Sequence, residues 1–192
     1  MMRLHDFAAC SFVALLAACA SPPRERHYTL SAEPSRPAAT APLSPLSIAV
    51  GPVTVPETVD QAQIVVQIAP NRVAIEEFHR WASPLKGEIA RAIAANLSQE
   101  FNAPRVWSYS QAALGKADYQ VLVDVQRFDS VLGEAAVIDA LWTIRVPGGA
   151  PRGGRSTVRE PVAGPGFDAL VAAHGRALAR VSREIADAIR VP

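Results

Sequence analysis

Apolar residues repeat along this chain with two different periods. Tyr119, Val121, Val123 and Val125 alternate with Gln120, Asp124 and Gln126, with Leu122 the one break, and Ala136, Ile138, Ala140, Trp142, Ile144 and Val146 alternate with Asp139, Thr143 and Arg145. A period of two sends successive side chains to opposite faces, so these stretches predict two half-buried strands lying side by side, antiparallel. Leu85, Ile89, Ile93, Leu97 and Phe101 instead recur every four residues. That spacing drifts slowly round a helix and leaves one apolar stripe. Ser83-Pro84 ahead of it reads as a hydroxyl N-cap followed by proline at the first helical position. Phe167, Leu170, Val171, Leu178, Val181, Ile185 and Ile189 predict a second amphipathic helix over 167–190, with Arg176, Arg180, Arg183 and Asp187 solvated.

The remaining elements follow from β-rich runs and turn residues. Residues 47–55 and 63–69 predict strands early in the sheet, the second turning through Pro70-Asn71 into Arg72–Glu76 as a hairpin. Residues 105–109 predict a short strand, the Gly/Pro-rich stretch 147–154 a turn, and 155–162 a further strand. Arg26-His27-Tyr28-Thr29-Leu30 predicts a short strand docked on the body, ahead of a Pro/Ala-rich surface loop at 31–45. Six to eight strands with two main amphipathic helices imply an α/β fold: a layered sandwich on a mixed, largely antiparallel sheet. There is no internal repeat and no second boundary, so 26–192 reads as one domain.

The first residues have a different character. From Phe7 to Ala18 the chain is almost wholly apolar or small, the length of a signal-peptide core and short of the roughly 20 residues that span a bilayer. Arg3 is the firm positive charge before it, partly offset by Asp6. Leu16-Ala17-Ala18-Cys19 resembles the lipobox of a bacterial lipoprotein. The expected product loses a signal peptide at 1–18, carries diacylglyceryl on Cys19, and continues through a lipidated tether at 19–25. Each buried methylene contributes about 0.8 kcal/mol, so two or three acyl chains make attachment effectively permanent. Ala20, where retained lipoproteins carry Asp, favours the outer membrane by the same resemblance.

Cleavage would remove Cys10 and leave Cys19 capped, so no intramolecular disulfide can form. About 174 residues would remain, enough for one domain to hide roughly two-thirds of its unfolded surface. The 19 basic residues, nearly all Arg, are spread along the chain against 18 acidic ones, which argues against nucleic acid as a partner.

Catalytic signatures are missing. The chain has no Walker A loop, no Gly-x-Ser-x-Gly elbow and no His-Glu-x-x-His, and Gly115-Lys116 reads as a turn. His27, His79 and His174 are isolated in sequence and read as structural or exposed. Asp118, Asp124, Asp129 and Asp139 read as polar positions of solvated faces or hairpin ends. Neither catalytic residues, a metal site nor a cofactor is expected. Arg80 and Trp81 are residue types that anchor interfaces when exposed. Trp81 has a second reading, as packing against the core just before a helix.

Several stretches in order resemble the ABC-transporter auxiliary lipoproteins, the PqiC-like family that accompanies transporters with Mce domains. They are His27-Tyr28-Thr29-Leu30, Val50-Gly51-Pro52-Val53-Thr54-Val55-Pro56, Gln63-Ile64-Val65-Val66, Asn71-Arg72-Val73, Glu76 through Leu85, Ala117-Asp118-Tyr119 through Phe128, and Ala140-Leu141-Trp142-Thr143. The resemblance implies an α/β sandwich without catalysis. It implies a lipid-anchored protein of the outer membrane, facing the periplasm, that helps an inner-membrane ABC system and its periplasm-spanning Mce-domain protein move lipids between membranes. It offers His79, Arg80 and Trp81 as candidate partner contacts and leaves a homo-oligomer open. Two rivals stand beside it: a lipoprotein that carries a hydrophobic ligand in its own apolar cavity, and a periplasmic hydrolase whose site is assembled from distant residues. A filled core would favour the adaptor.

Overall fold

The structure is a computed structural model that describes residues 24–33, 44–108 and 117–191. The expected leader, Cys19 and most of the Pro/Ala-rich loop lie outside these residues. The elements run β1 (Arg26–Tyr28), β2 (Ser47–Thr54), a 3-10 turn at Glu57–Val59, β3 (Gln63–Ala69), β4 (Arg72–Trp81), α1 (Leu85–Phe101), β5 (Arg105–Ser108), β6 (Tyr119–Val131), β7 (Ala135–Arg145), β8 (Arg152–Pro161) and α2 (Gly166–Arg190).

The strands divide between two sheets. One has five strands in the order β5-β2-β6-β7-β8, and the other has three in the order β1-β4-β3. In the larger, β2 runs parallel to both β5 and β6, while β6, β7 and β8 form an antiparallel meander. The expected pairing of the two alternating stretches is therefore present, with Val121 opposite Ile144 and Val123 opposite Trp142. The expectation that residues 47–55 and 63–69 share a sheet is corrected: β2 joins the large sheet and β3 the small one. Local chemistry separates them. The register of β2 shifts between Val50 and Val53, across Gly51 at φ 120° and the cis Gly51–Pro52 bond. Pro52 and Pro56 then have no N–H to offer a ladder, and the chain turns away.

Both helices pack on one face of the large sheet, α1 over β2 and β5 and α2 over β7 and β8, and they also pack on each other. Leu85, Ile89, Ile93 and Leu97 point from α1 into a layer that includes Ile48, Val50, Val121, Ile138 and Ile144 from the sheet and Leu170, Leu178 and Ile185 from α2. All are essentially inaccessible to water. Each such aliphatic side chain contributes about 1.5–3 kcal/mol relative to exposure. The other face of β7 and β8 is mostly polar, with Leu141 exposed among its charged and hydroxyl side chains. There Asp139 pairs across the strands with Arg127 and Thr157 and accepts from the Arg155 guanidinium at 2.8 and 2.5 Å.

Most boundaries fall within a residue of the sequence expectation, and three differences have a visible physical cause. β4 extends past Glu76 to Trp81 with partners on both edges: β1, fifty residues earlier, places Arg26 opposite His79 and Tyr28 opposite Trp81, while Gln63 lies opposite Arg80 beyond a register shift in β3. β8 begins at Arg152, so Gly153 and Gly154 lie within a strand and not in a turn. A Cβ at Gly154 would overlap the indole of Trp142, which covers that position. Helix α1 starts one residue late: Pro84 is the N-cap, with no side-chain cap, and its carbonyl accepts from the Gly87 and Glu88 amides. The Ser83 hydroxyl donates to the Glu88 carboxylate at 2.6 Å instead.

A candidate contact site where the chain enters the fold

Three consecutive residues on a strand cannot share a face, and β4 separates the three candidates accordingly. His79 and Trp81 point to one side and Arg80 to the other. Trp81 is buried, edge-on to Phe128 and His174, so it takes the packing role of its two readings and is not an exposed anchor. His79 is half-buried. Its ring stacks on Phe167 with centroids 3.7 Å apart, and its Nδ1 shares a 2.7 Å hydrogen bond with the Tyr28 hydroxyl. Arg80 reaches the Glu25 carboxylate at 2.9 Å and keeps part of its side chain in water. Cys19, six residues before Glu25, lies outside the described residues.

The site therefore joins β1 and the residue before it, the end of β4 and the first turn of α2. Phe167 and Asp168 come from α2. Burial first, and then the Asp168 carboxylate, raise the pKa of the Tyr28 phenol, with Arg26 pulling the other way. The phenol thus stays protonated and remains a hydrogen-bonding group at neutral pH. On the inner side the strand is held by Glu88, a buried carboxylate that accepts from the Leu30 amide at 3.1 Å and from Ser83, and pairs with Arg91 at 2.9 Å.

Behind Trp81 lies a group that the sequence reading treated as isolated. His174 is completely buried in α2, stacked on Phe128 at 4.1 Å and hydrogen-bonded through Nε2 to Ser130 at 2.8 Å. Its Nδ1 has no partner among the described residues. Burial pushes its pKa down to about 3, so the ring is neutral at physiological pH. A signal for it existed in the sequence. The apolar stripe of α2 has a gap of six residues between Val171 and Leu178, and position 174 fills it at spacings of three and four.

Four other groups depart from their expected solvated roles. Asp139 is buried beneath Arg155, which holds its carboxyl below the usual carboxylate range. Asp118 accepts from the Ser47 amide at 2.8 Å and the Ser47 hydroxyl at 2.6 Å, fastening the start of β2 to that of β6, and these bonds likewise lower its pKa. On α2, Arg176 and Arg180 turn to the buried Glu160 carboxylate at 2.9 and 3.1 Å, so neither is simply solvated. Among the described residues no three His, Cys, Asp or Glu side chains converge at metal-binding distance, and no helix is long and apolar enough to cross a membrane.

The sequence matches the family described as the ABC-type transport auxiliary lipoprotein component over residues 28–186. A solved structure described only as an uncharacterized protein is similar at TM-score 0.70 and 25% identity, covering 86% of this chain and 99% of that one. Protein XCC0632 from Xanthomonas campestris is similar at TM-score 0.66 and 20% identity, covering 84% of this chain and 92% of its own, a likeness of fold. No curated protein matches the sequence significantly. The family match takes in Tyr28, His79, Arg80, Phe167 and Asp168 of the site, and the chain belongs to the ABC-type transport auxiliary lipoprotein family.

Proposed function

We propose that this lipoprotein is held at the outer membrane by acylated Cys19, faces the periplasm, and docks the periplasm-spanning Mce-domain protein of an ABC system that moves lipids between membranes and so maintains membrane integrity. The observation that carries this reading is the family match across residues 28–186, nearly the whole folded body. Its role is to bind and not to catalyse. A tether turns the encounter between partner and bilayer into an effectively intramolecular one, which raises local concentration without any chemistry in the tethered domain. The layer between helices and large sheet is occupied by aliphatic side chains from both, which supports an adaptor over a carrier of its own ligand. His79 and Arg80 are the proposed contacts, with Trp81 bracing them from the core.

Crosslinking in native membranes followed by mass spectrometry tests the proposal. Recovery of an Mce-domain protein joined near residues 79 and 80 is the expected result. Failure to recover one, together with measurable substrate turnover by the purified protein, would overturn the reading.

A further inference from the structure

We propose that the free end of the β3–β4 hairpin is a membrane-contact element, which rests in the interfacial layer of the bilayer that holds Cys19. This rests on the acylation of Cys19 put forward above.

The first observation is the direction in which the chain leaves the fold. β1 runs parallel to β4, with Arg26 opposite His79, so the residues before Arg26 head the same way as those before His79. That way lies the hairpin turn at Pro70-Asn71. From Cys19 to Arg24 there are five residues, which reach at most about 18 Å even when fully extended. From His79 back to Arg72 the strand covers about 23 Å. A lipid on Cys19 is therefore within reach of the level of the hairpin's end. A bilayer holding Cys19 can lie against that end.

The second observation is what the hairpin presents there. Ile68, Val73 and Ile75 are 53%, 54% and 53% exposed, and Phe78 further along is 40% exposed. Isolated exposed apolar residues are ordinary, but these gather on one hairpin. They also lie on both of its faces. Ile68 continues the row of Ile64 and Val66, which is buried farther in, whereas Val73 and Ile75 pair with Gln67 and Val65 on the opposite side. A protein surface would cover one face. A lipid interface surrounds both.

The third observation limits the depth. Glu77 is exposed just beyond Ile75, and β3 is the outer strand of its sheet, with one edge of its backbone unpaired among the described residues. Neither suits hydrocarbon, where unsatisfied backbone groups are costly. Both suit the boundary between headgroups and acyl chains, roughly 5–10 Å deep. Exposed Arg72 at the turn is placed to meet lipid phosphates. Arg80 lies about 26 Å of strand away from Arg72, which leaves the proposed protein contacts clear of the bilayer.

The mature chain has one cysteine, and acylation blocks it, so an introduced thiol can be labelled alone. Lipidated full-length V73C, carrying an environment-sensitive dye, is placed in phosphatidylethanolamine/phosphatidylglycerol vesicles beside T157C, whose label sits on the polar face of the large sheet. The expected result is a blue shift at position 73 and quenching by lipids with a quencher high on the acyl chain, with neither at 157. Replacing Ile68 and Ile75 by Thr, which keeps the β-branched shape, should reduce both effects at position 73. A dye at 73 that stays in water overturns the proposal. So does a shift that disappears when protein is diluted over excess lipid, which would assign the hairpin to a second copy. A shift that appears only on adding the Mce-domain protein overturns it as well. The mass of the N-terminal peptide separates the two levels: an unmodified Cys19 defeats the anchoring itself, whereas an acylated Cys19 with an aqueous position 73 defeats this inference alone.

Discussion

The imidazole of His174 and the ring of Phe128 lie face to face in the core, with centroids 4.1 Å apart and planes 4° from parallel. This stack, closed on its edge by Trp81, joins α2 to β6 and to the end of β4. It is built for a neutral ring, because a charged imidazolium here would be surrounded by hydrocarbon with only Ser130 to help it.

Stability should therefore fall with acidification. The folded pKa of His174 is about 3 and the unfolded value near 6.5, so between them the unfolded chain binds a proton that the native one refuses. The stabilisation is fully present above pH 6.5 and is lost as pH drops toward 3, with a slope of at most about 1.4 kcal/mol per pH unit. Asp118 and Asp139, whose pKa values are lowered, act in the same direction but only below the ordinary carboxylate range. Denaturant titrations between pH 7.5 and 4.5 isolate the histidine. His174→Phe should flatten that part of the profile whatever it does to stability at pH 7.5, and a variant with the parent's slope would refute the assignment.

Substituting Gly154 by Ala tests the packing of the other buried indole. The added methyl group would meet the Trp142 ring, whose Nε1 donates to the Ser156 hydroxyl at 3.0 Å. Either β8 must shift or the ring must turn and lose that bond. Overpacking of this kind costs about 1–3 kcal/mol. A lower denaturation midpoint together with altered tryptophan fluorescence is expected, and unchanged stability would show that the ring is free to move.

Much of this architecture was legible from periodicity. The stripe Leu85–Phe101 and the paired alternations of β6 and β7 are local patterns, and local patterns survive folding when one face is buried. What could not be read depends on contacts distant in sequence. The last three residues of β4 are strand because β1 pairs with them on one edge and Gln63 and Ala62 on the other, and strand alternation then separates Arg80 from His79 and Trp81. Gly153 and Gly154 resemble a turn until Trp142 is seen to occupy the space above Gly154. Asp139 falls at the polar phase of its strand yet is buried, because Arg155 on the next strand folds over it. His79 came from resemblance, Arg80 and Trp81 from resemblance and residue type, and it is Tyr28 and Phe167, distant in the chain, that make His79 part of a site.

Anchoring has its own signature in fractionation. If Cys19 carries the lipid, Cys19→Ser leaves a folded domain without its acyl anchor. The mature product should move from the outer-membrane fraction to the soluble periplasm. Continued fractionation with the outer membrane would count against lipidation as the anchor.

Glu88 controls how firmly the entering chain is held. Its carboxylate satisfies the Leu30 amide and the Ser83 hydroxyl at a buried position, so Glu88→Ala leaves the first of these without its partner. An orphaned buried donor costs about 1–3 kcal/mol. The loss should be unevenly distributed, because the large sheet and its helices share no hydrogen bond with Leu30 other than this one, while β1 is only three residues long and forms an edge. Short elements of this kind open below the global unfolding free energy. Hydrogen exchange should therefore quicken first at the amides of residues 28–30 and at the end of β4, with those of β6 and β7 little changed. Because Tyr28 leaves with the strand, His79 would lose its hydroxyl partner, and crosslinking at residues 79 and 80 should weaken in the same variant. Uniformly faster exchange would mean that Glu88 supports the whole body instead of the strand through which the tether enters it.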